Sequence, residues 1–248
     1  MKAKNYIDNP IKVTLFGAGG RMGGETAELL SSSPEFRLVN LIERKSHPLI
    51  GSELYGCIVS DNPDSLPMKG TIFCDFTLAE AAVKNAETAL IHNCPILIGA
   101  TGFNEEQFNR IERISESIPV MLASNLSRGI SVMKKLAART AYLLGEDFGA
   151  EIVEMHHKWK KDAPSGTAKE LLKLLKDHGI KGEVPTHYIR LGDIVGEHRI
   201  IFACEGETIE IIHRAHSRKA FAQGVPLALK FLAEAEPGLH SFQKAVEK

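Results

Sequence analysis

The chain has 248 residues, which at roughly 150 residues per domain is about 1.7 domains, so one or two. Hydrophobic residues make up 44% and charged residues 25%, the balance of a folded globular protein and not of a disordered tail, a collagen repeat or a coiled coil. Thirty Lys and Arg against 31 Asp and Glu leave a net charge of -1, so the chain has no overall electrostatic footprint for nucleic acid, and no such partner is expected. The longest apolar stretches fall far short of the ~20 residues that span a bilayer, so no membrane partner is expected. The first residues, MKAKNYIDNP, carry charge but no apolar run, which argues against a secretory leader. Cys57, Cys74, Cys94 and Cys204 show no C-x-x-C spacing. That argues against a zinc site or a disulfide framework, so no metal is expected, and a reduced, cytoplasmic setting is.

The first half alternates strand and helix signals. Lys12 to Phe16 is a short apolar, β-branched run ending in GAGGRMGG, followed by a helical stretch to about Ser33 and a strand from Phe36 to Ile42. Thr71 to Phe76 reads as the next strand, the Ala-rich segment Ala79 to His92 as a helix, and Pro95 to Ile98 as a strand ending at GATGF. Asn104 with Gln107 three residues later predicts a reciprocal helix cap. Val120 to Ala123 is a fifth strand. Buried strands alternating with helices imply a Rossmann-like parallel sheet built from βαβ units.

After Asn125 the pattern changes. A helix from about Gly129 to Leu144 leads into Glu151 to His157, where strand alternation puts Ile152, Glu154 and His156 on one face. A helix from Ser165 to His178, stopped by Gly179, precedes three successive strand-like runs: Thr186–Leu191, Arg199–Ala203 and Thr208–His213. Strands without intervening helices imply a mostly antiparallel sheet. The fold expected is therefore α/β: a dinucleotide-binding domain over 1–126, with 219–248 packing back onto it, and an α+β substrate-binding and oligomerisation domain over 127–218.

Gly17, Gly20 and Gly23 lie between a strand and a helix, spaced as GxxGxxG, with Met22 breaking the stricter GxGxxG. Glycines there permit a tight turn and let backbone N–H groups approach a pyrophosphate at the helix start. Glu43, at the end of the second strand, suits an adenosine ribose, and Arg44 and Lys45 follow where a 2′-phosphate would lie. A purely structural turn is the competing reading.

The segment HHKWKKDAPSGTA carries the other signal. Histidine titrates nearest neutrality; His156 and His157, adjacent on a strand end, point opposite ways. Lys158, Lys160 and Lys161 gather positive charge beside them, Asp162 can orient a cation or cap the loop, and Ser165, Gly166 and Thr167 open a helix whose N–H groups favour an anion. From the residues alone, an acid/base group beside an anion cradle and a solvated basic loop with an ordinary Ser165 cap stand level.

That segment, preceded by Glu151 and Glu154, closely resembles the signature E-x-x-E-x-H-H-x-x-K-x-D-A-P-S-G-T-A of the 4-hydroxy-tetrahydrodipicolinate reductase (dihydrodipicolinate reductase) family. The likeness extends over most of the chain: GAGGRMG at Gly17, Glu43–Arg44, DFT at Asp75, GATGF at Gly99, ASNLSRG at Ala123 and GDIVGEH at Gly192. Ala100 stands where Thr is common, Ser124 and Leu126 vary an A-N-F pattern, and the stretch between Gly182 and Arg190 is short for the family. The resemblance implies NADH or NADPH as cofactor, held by Gly17, Ala18, Gly19, Gly20, Arg21 and Met22 at the pyrophosphate, Glu43 at the ribose and Arg44 at an NADP 2′-phosphate. It implies Gly99, Ala100 and Thr101, with Ala123, Ser124, Asn125 and Leu126, beside the nicotinamide. It also implies His156 and Lys160 as proton donors, and His157, Lys160, Gly166 and Thr167 as ligands of a small dicarboxylate substrate.

The expected reaction is reduction of 4-hydroxy-tetrahydrodipicolinate to tetrahydrodipicolinate in lysine and diaminopimelate biosynthesis. Alternatives are another two-domain nicotinamide-dependent dehydrogenase, or a non-catalytic dinucleotide sensor. A homotetramer is expected: the number comes from the resemblance, and the interface from Ile200, Phe202, Ile209 and Ile211, too many for one helix to cover. Asp75 is read first as a cap of the next helix, Cys74 as structural, and His213 and His216 as solvated. Arg190, Asp193 and His198 receive no role from spacing alone.

Overall fold

The computed structural model describes residues 6–63 and 67–248; part of the N-terminal stretch read above as no secretory leader, residues 1–5, lies outside them. In chain order the elements are β1 (Ile11–Phe16), α1 (Arg21–Ser31), β2 (Phe36–Ile42), β3 (Glu53–Leu54), β4 (Cys57–Ser60), β5 (Ile72–Asp75), α2 (Ala79–Ile91), β6 (Ile96–Ile98), α3 (Glu105–Ser115) and β7 (Pro119–Leu122). There follow α4 (Arg128–Leu144), β8 (Gly149–His156), α5 (Gly166–Asp177), β9 (Thr186–Arg190), β10 (Gly196–Cys204) and β11 (Glu207–Ala215). The chain ends with α6 (Lys219–Ala222), α7 (Val225–Leu232), β12 (Gly238–His240) and α8 (Phe242–Glu247). It divides into two compact units, one ending at Leu126 and resuming over Phe221–Lys248, the other spanning Ser127–Ala220.

The first unit is built on one sheet of order β12-β7-β6-β5-β1-β2-β4-β3, parallel throughout except for the β3–β4 pair. The chain leaves β1 for β2 and β4 on one side, then crosses to β5, β6 and β7 on the other. The order therefore reverses beside β1, and in open parallel sheets ligands bind in the crevice beyond the strand carboxyl ends at that reversal. Leu15, Phe73, Ile96, Leu97 and Val120 are fully buried, as expected of strands covered on both faces, each side chain contributing about 1.5–3 kcal/mol by leaving water. The reciprocal cap of α3 forms as the sequence predicts: Asn104 Oδ1 accepts from Gln107 N, and Gln107 Oε1 accepts from Asn104 N. β3, β4 and β12, of two, four and three residues, carry too few residues to show a period and escape sequence reading. Between Lys219 and Leu232 the helical segment is broken into α6 and α7. Gly224 separates α6 from α7, and a β-carbon there would stand 1.9 Å from the Leu126 carbonyl oxygen, so only glycine lets the backbones pass.

The second unit is a four-stranded sheet of order β11-β10-β8-β9, antiparallel except for β8–β9. One face is covered by α4 and α5, which bring Ile130, Met133, Ala137, Leu171 and Leu175 onto Ile152, Ile200 and Phe202. This corrects the argument for an exposed interface: Ile200 and Phe202 are fully buried and Ile211 packs against the same core, because two helices share the cover. Of the four residues named, only Ile209 is exposed. The opposite face carries Val153, Ile201 and Ile212 interleaved with the pairs Arg199–Glu210, Arg214–Glu197 and His187–Glu151.

Candidate active site

In the first unit the predicted residues gather at the carboxyl ends of β1, β2, β6 and β7. Gly17 has φ +77° and passes so close to the chain after β5 that a β-carbon would stand 2.9 Å from the Phe76 carbonyl oxygen. At Gly23 a β-carbon would stand 1.9 Å from the Gly17 carbonyl oxygen. The helix α1 begins at Arg21 with Gly20 as its N-cap and no side-chain cap hydrogen bond, so its first-turn amides are left for an anion. Such a turn fits a pyrophosphate, and the residues present fit a dinucleotide. Glu43 is oriented by two amides: its Oε1 accepts from Gly19 N at 2.8 Å and its Oε2 from Arg44 N at 3.1 Å. His47, unremarked in the sequence, lays its imidazole against Gly19, where a β-carbon would come within 2.3 Å of Cε1.

Gly99 N donates to Asp75 O and Ala123 N to Ile98 O, which fixes Gly99–Ala100–Thr101 and Ala123–Ser124–Asn125–Leu126 as strand-end loops side by side. At Gly99 a β-carbon would enter the Phe76 ring at 2.5 Å. Asp75 is fully buried; its carboxylate accepts from Thr77 N, Thr77 Oγ1 and Asn85 Nδ2. It is not the cap read for it: Leu78 is the N-cap of α2, whose first turn has no side-chain cap, and Asp75 instead ties the turn before the helix to Asn85 within it. Burial pushes its pKa up, against those three hydrogen bonds. Burial likewise pushes the Cys74 thiol well above its ordinary value, which leaves it inert.

In the second unit, alternation along β8 turns Glu154 and His156 to the covered face, and the register sets Glu154 opposite His198 and Tyr188, and His156 opposite Arg190. Glu154 is fully buried. Its Oε1 accepts from Arg190 Nη2 at 2.8 Å and from Ser165 N at 3.1 Å, while its Oε2 pairs with His156 Nδ1. Burial would raise the Glu154 pKa, but the Arg190 hydrogen bond, the His156 charge and the Ser165 amide outweigh it and hold the carboxyl below its usual range. Burial lowers the His156 pKa, and Lys160 and Arg190 push the same way, against the pull of Glu154. His198 meets the His156 ring edge-on, centroids 5.2 Å apart, and its Nε2 lies 3.3 Å from Ser165 Oγ. Its pKa falls to about 3, through burial first and then the neighbouring His156.

Ser165 is the N-cap of α5, its Oγ accepting from Ala168 N, and Gly166 and Thr167 form the first turn, with open space where a Gly166 β-carbon would be. Lys160 Nζ lies 2.8 Å from Asp162 Oδ1, so Asp162 orients a cation. Arg190 also donates to the Asp162 carbonyl at 2.6 Å, tying the basic loop to β9. His157 is half-buried, its ring 5.9 Å from that of Trp159. His213 is not the solvated residue expected: it is partly buried, with Nε2 3.2 Å from Ser127 Oγ, the N-cap of α4. The structure thus brings His156, Lys160 and the Ser165 start of α5 into one cluster, and adds Glu154, Arg190 and His198, to which sequence reading assigned no role. One signal was available: a carboxylate on the buried face of β8 requires a cation partner.

Glu154, His156 and His198 each offer a donor atom within 4.8 Å of the others, a spacing that suits a metal ion. Glu154 Oε1 is already taken by Arg190 and Ser165 N, and the guanidinium supplies the positive charge, so the cluster reads as a charge network.

A parallel sheet with a glycine turn at its order reversal, joined to a unit that sets His156 beside Lys160, is the frame of a two-unit nicotinamide-dependent oxidoreductase. Residues 11–126 match the family model for the dihydrodipicolinate reductase N-terminus and residues 129–246 that for its C-terminus; the chain belongs to the dihydrodipicolinate reductase family. It is 37% identical over 260 aligned residues to the 4-hydroxy-tetrahydrodipicolinate reductase of Syntrophus aciditrophicus, covering 94% of this chain and 97% of that one. It is 36% identical to the enzyme of the same name from Rubrobacter xylanophilus, with the same coverage. In fold it is similar to the dipicolinate-bound dihydrodipicolinate reductase of Paenisporosarcina sp. TG-14, with a TM-score of 0.78 at 24% identity over 94% of this chain and 97% of that one. A myo-inositol dehydrogenase of Corynebacterium glutamicum shares the fold at a TM-score of 0.62 and 15% identity, over 96% and 93%. Among the described residues, no helix is long and apolar enough to cross a membrane.

Proposed function

We propose that this chain reduces 4-hydroxy-tetrahydrodipicolinate to tetrahydrodipicolinate with NADH or NADPH, in lysine and diaminopimelate biosynthesis. The observation that carries the reading is the buried Glu154–His156 pair beside Lys160 and the start of α5, on a chain of this family. Gly17, Ala18, Gly19, Gly20, Arg21 and Met22, with Glu43 and Arg44 and the loops Gly99–Thr101 and Ala123–Leu126, would hold the dinucleotide, which would supply a hydride. The hydride enters ring carbon C4 as water is lost, and the adjacent ring carbon takes a proton. His156, as the imidazolium, delivers that proton from Nε2 and is left as the neutral ring protonated on Nδ1, the nitrogen engaged by Glu154. Lys160 exchanges Asp162 for a substrate carboxylate, and His157 and the Gly166–Thr167 turn hold the other carboxylate at the positive end of α5.

The working form is a homotetramer in the cytoplasm. The open face of the second sheet supports it: apolar Val153, Ile201 and Ile212 alternate there with the three ion pairs, a pattern suited to meeting a second copy. A monomeric mass by light scattering at micromolar concentration would contradict this.

The activity is tested by following nicotinamide absorbance with the condensation product of pyruvate and aspartate semialdehyde as substrate. Rapid oxidation, absent with sugars and amino acids, is expected. Oxidation only with an alcohol-derived carbonyl, or binding of NADH without turnover, would favour a different dehydrogenase or a sensor.

A further inference from the structure

The dyad that delivers the proton rests on a carboxylate to which the family signature assigns no chemistry. Glu154 has no exposed surface, and burying a charged carboxylate is costly unless it is paired and hydrogen-bonded. Each of its oxygens is committed to a different part of the site. Oε2 meets His156 Nδ1; Oε1 receives Arg190 and the amide of Ser165, the residue whose hydroxyl caps the first turn of α5. One carboxylate therefore sets the imidazole and the start of the anion-holding helix relative to each other.

Every charged or titratable group that faces His156 fits this division. From β8 comes Glu154, from β9 Arg190, from β10 His198, and from the loop Lys160, with His213 on β11 behind His198. Glu154 is the only anion among them. With Nδ1 turned inward to it, Nε2 is the free edge of the ring. That edge passes over Gly196, where a β-carbon would come within 3.3 Å of Nε2, so the absence of a side chain there keeps it clear.

We propose that Glu154 is the positioning residue of the proton donor: it holds His156 with Nδ1–H inward and Nε2 outward, and fixes that ring to the Ser165 start of α5. Arg190 keeps the carboxylate charged and in place. This rests on the reading of His156 as donor, and the two are separable by experiment.

The first measurement is the protonation pattern of the His156 ring nitrogens in the full-length wild type, by long-range proton–nitrogen NMR, with His156→Gln providing the assignment. A neutral ring protonated on Nδ1 is expected; a neutral ring protonated on Nε2 would overturn the proposal, whatever any variant does. The second is the pH profile of kcat for Glu154→Gln. Loss of the only anion favours the neutral ring, so the alkaline limb should move to lower pH by roughly one unit. kcat at neutral pH should fall roughly 10-fold or more, as part of the ~10²–10⁴-fold that general acid catalysis supplies. KM should change less than kcat. Glu154→Asp should recover part of the loss and return the limb toward its wild-type position. A folded Glu154→Gln with reduced kcat but an unmoved limb would show a structural role only. Near-normal kcat in His156→Gln would instead overturn the donor assignment beneath the proposal.

Discussion

Gly23 lies so close under Gly17 that a β-carbon on it would stand 1.9 Å from the Gly17 carbonyl oxygen, while one on the neighbouring Gly24 would meet nothing nearer than 3.8 Å. The first turn of α1 and the end of β1 are thereby locked face to face, and the amides of that turn are held toward the strand ends. Gly23→Ala should destabilise the protein by roughly 1–3 kcal/mol through forced backbone movement, and should weaken NADH binding. Gly24→Ala, inside the helix with room for a methyl group, should leave stability unchanged or raise it by up to about 1 kcal/mol. Thermal melting with fluorescence titration of NADH distinguishes them; equal behaviour of the two variants would mean that the close approach is unimportant.

Cofactor choice should be weakly biased. Glu43, oriented by the Gly19 and Arg44 amides, favours a free 2′-hydroxyl, whereas Arg44 can pair with a 2′-phosphate. Arg44→Ala should raise the KM for NADPH more than that for NADH. Equal losses for the two cofactors would show that Arg44 does not read the phosphate.

His198 couples the site to acid stability. Its pKa is about 3 in the folded protein, against an ordinary 6.5. Below about 6.5 the unfolded chain binds a proton that the folded chain refuses until about 3. Stability therefore falls as pH drops through that window, by up to about 1.4 kcal/mol per pH unit from this group, and is unaffected by it at higher pH. In His198→Gln the fall in urea-unfolding free energy between about pH 7 and about pH 5 should be shallower than in wild type. An identical slope would mean that His198 exchanges its proton freely in the fold.

The parallel sheet was legible because its strands are apolar runs between helices, and β2 starts at Phe36 and ends at Ile42 as read. The reciprocal Asn104–Gln107 cap was legible because it is local. What escaped depends on pairing across the fold: the four-residue β4 exists because it pairs with β2, and Gly224 shows its purpose only once Leu126 is beside it. At the site, strand alternation put Glu154 and His156 on one face. It could not reveal that Arg190 arrives opposite His156 through the parallel β8–β9 register. Spacing left Arg190 and His198 without a role for the same reason.

His156 and Lys160 should separate kinetically. His156→Gln should lower kcat by roughly 10²–10⁴-fold with little change in KM. Lys160→Ala should lower kcat and also raise KM, because a substrate carboxylate loses its partner while Asp162 is left unpaired. Both should bind NADH as wild type does, which a direct titration checks.

The central claim, hydride delivery to the ring of 4-hydroxy-tetrahydrodipicolinate, is tested most directly by mass spectrometry of the product formed with NADH deuterated at the transferable C4 position. Tetrahydrodipicolinate carrying a single deuterium at ring carbon C4 is expected, with consumption of NADH matching its formation. Unlabelled product, or no product while NADH remains bound and unchanged, would contradict it.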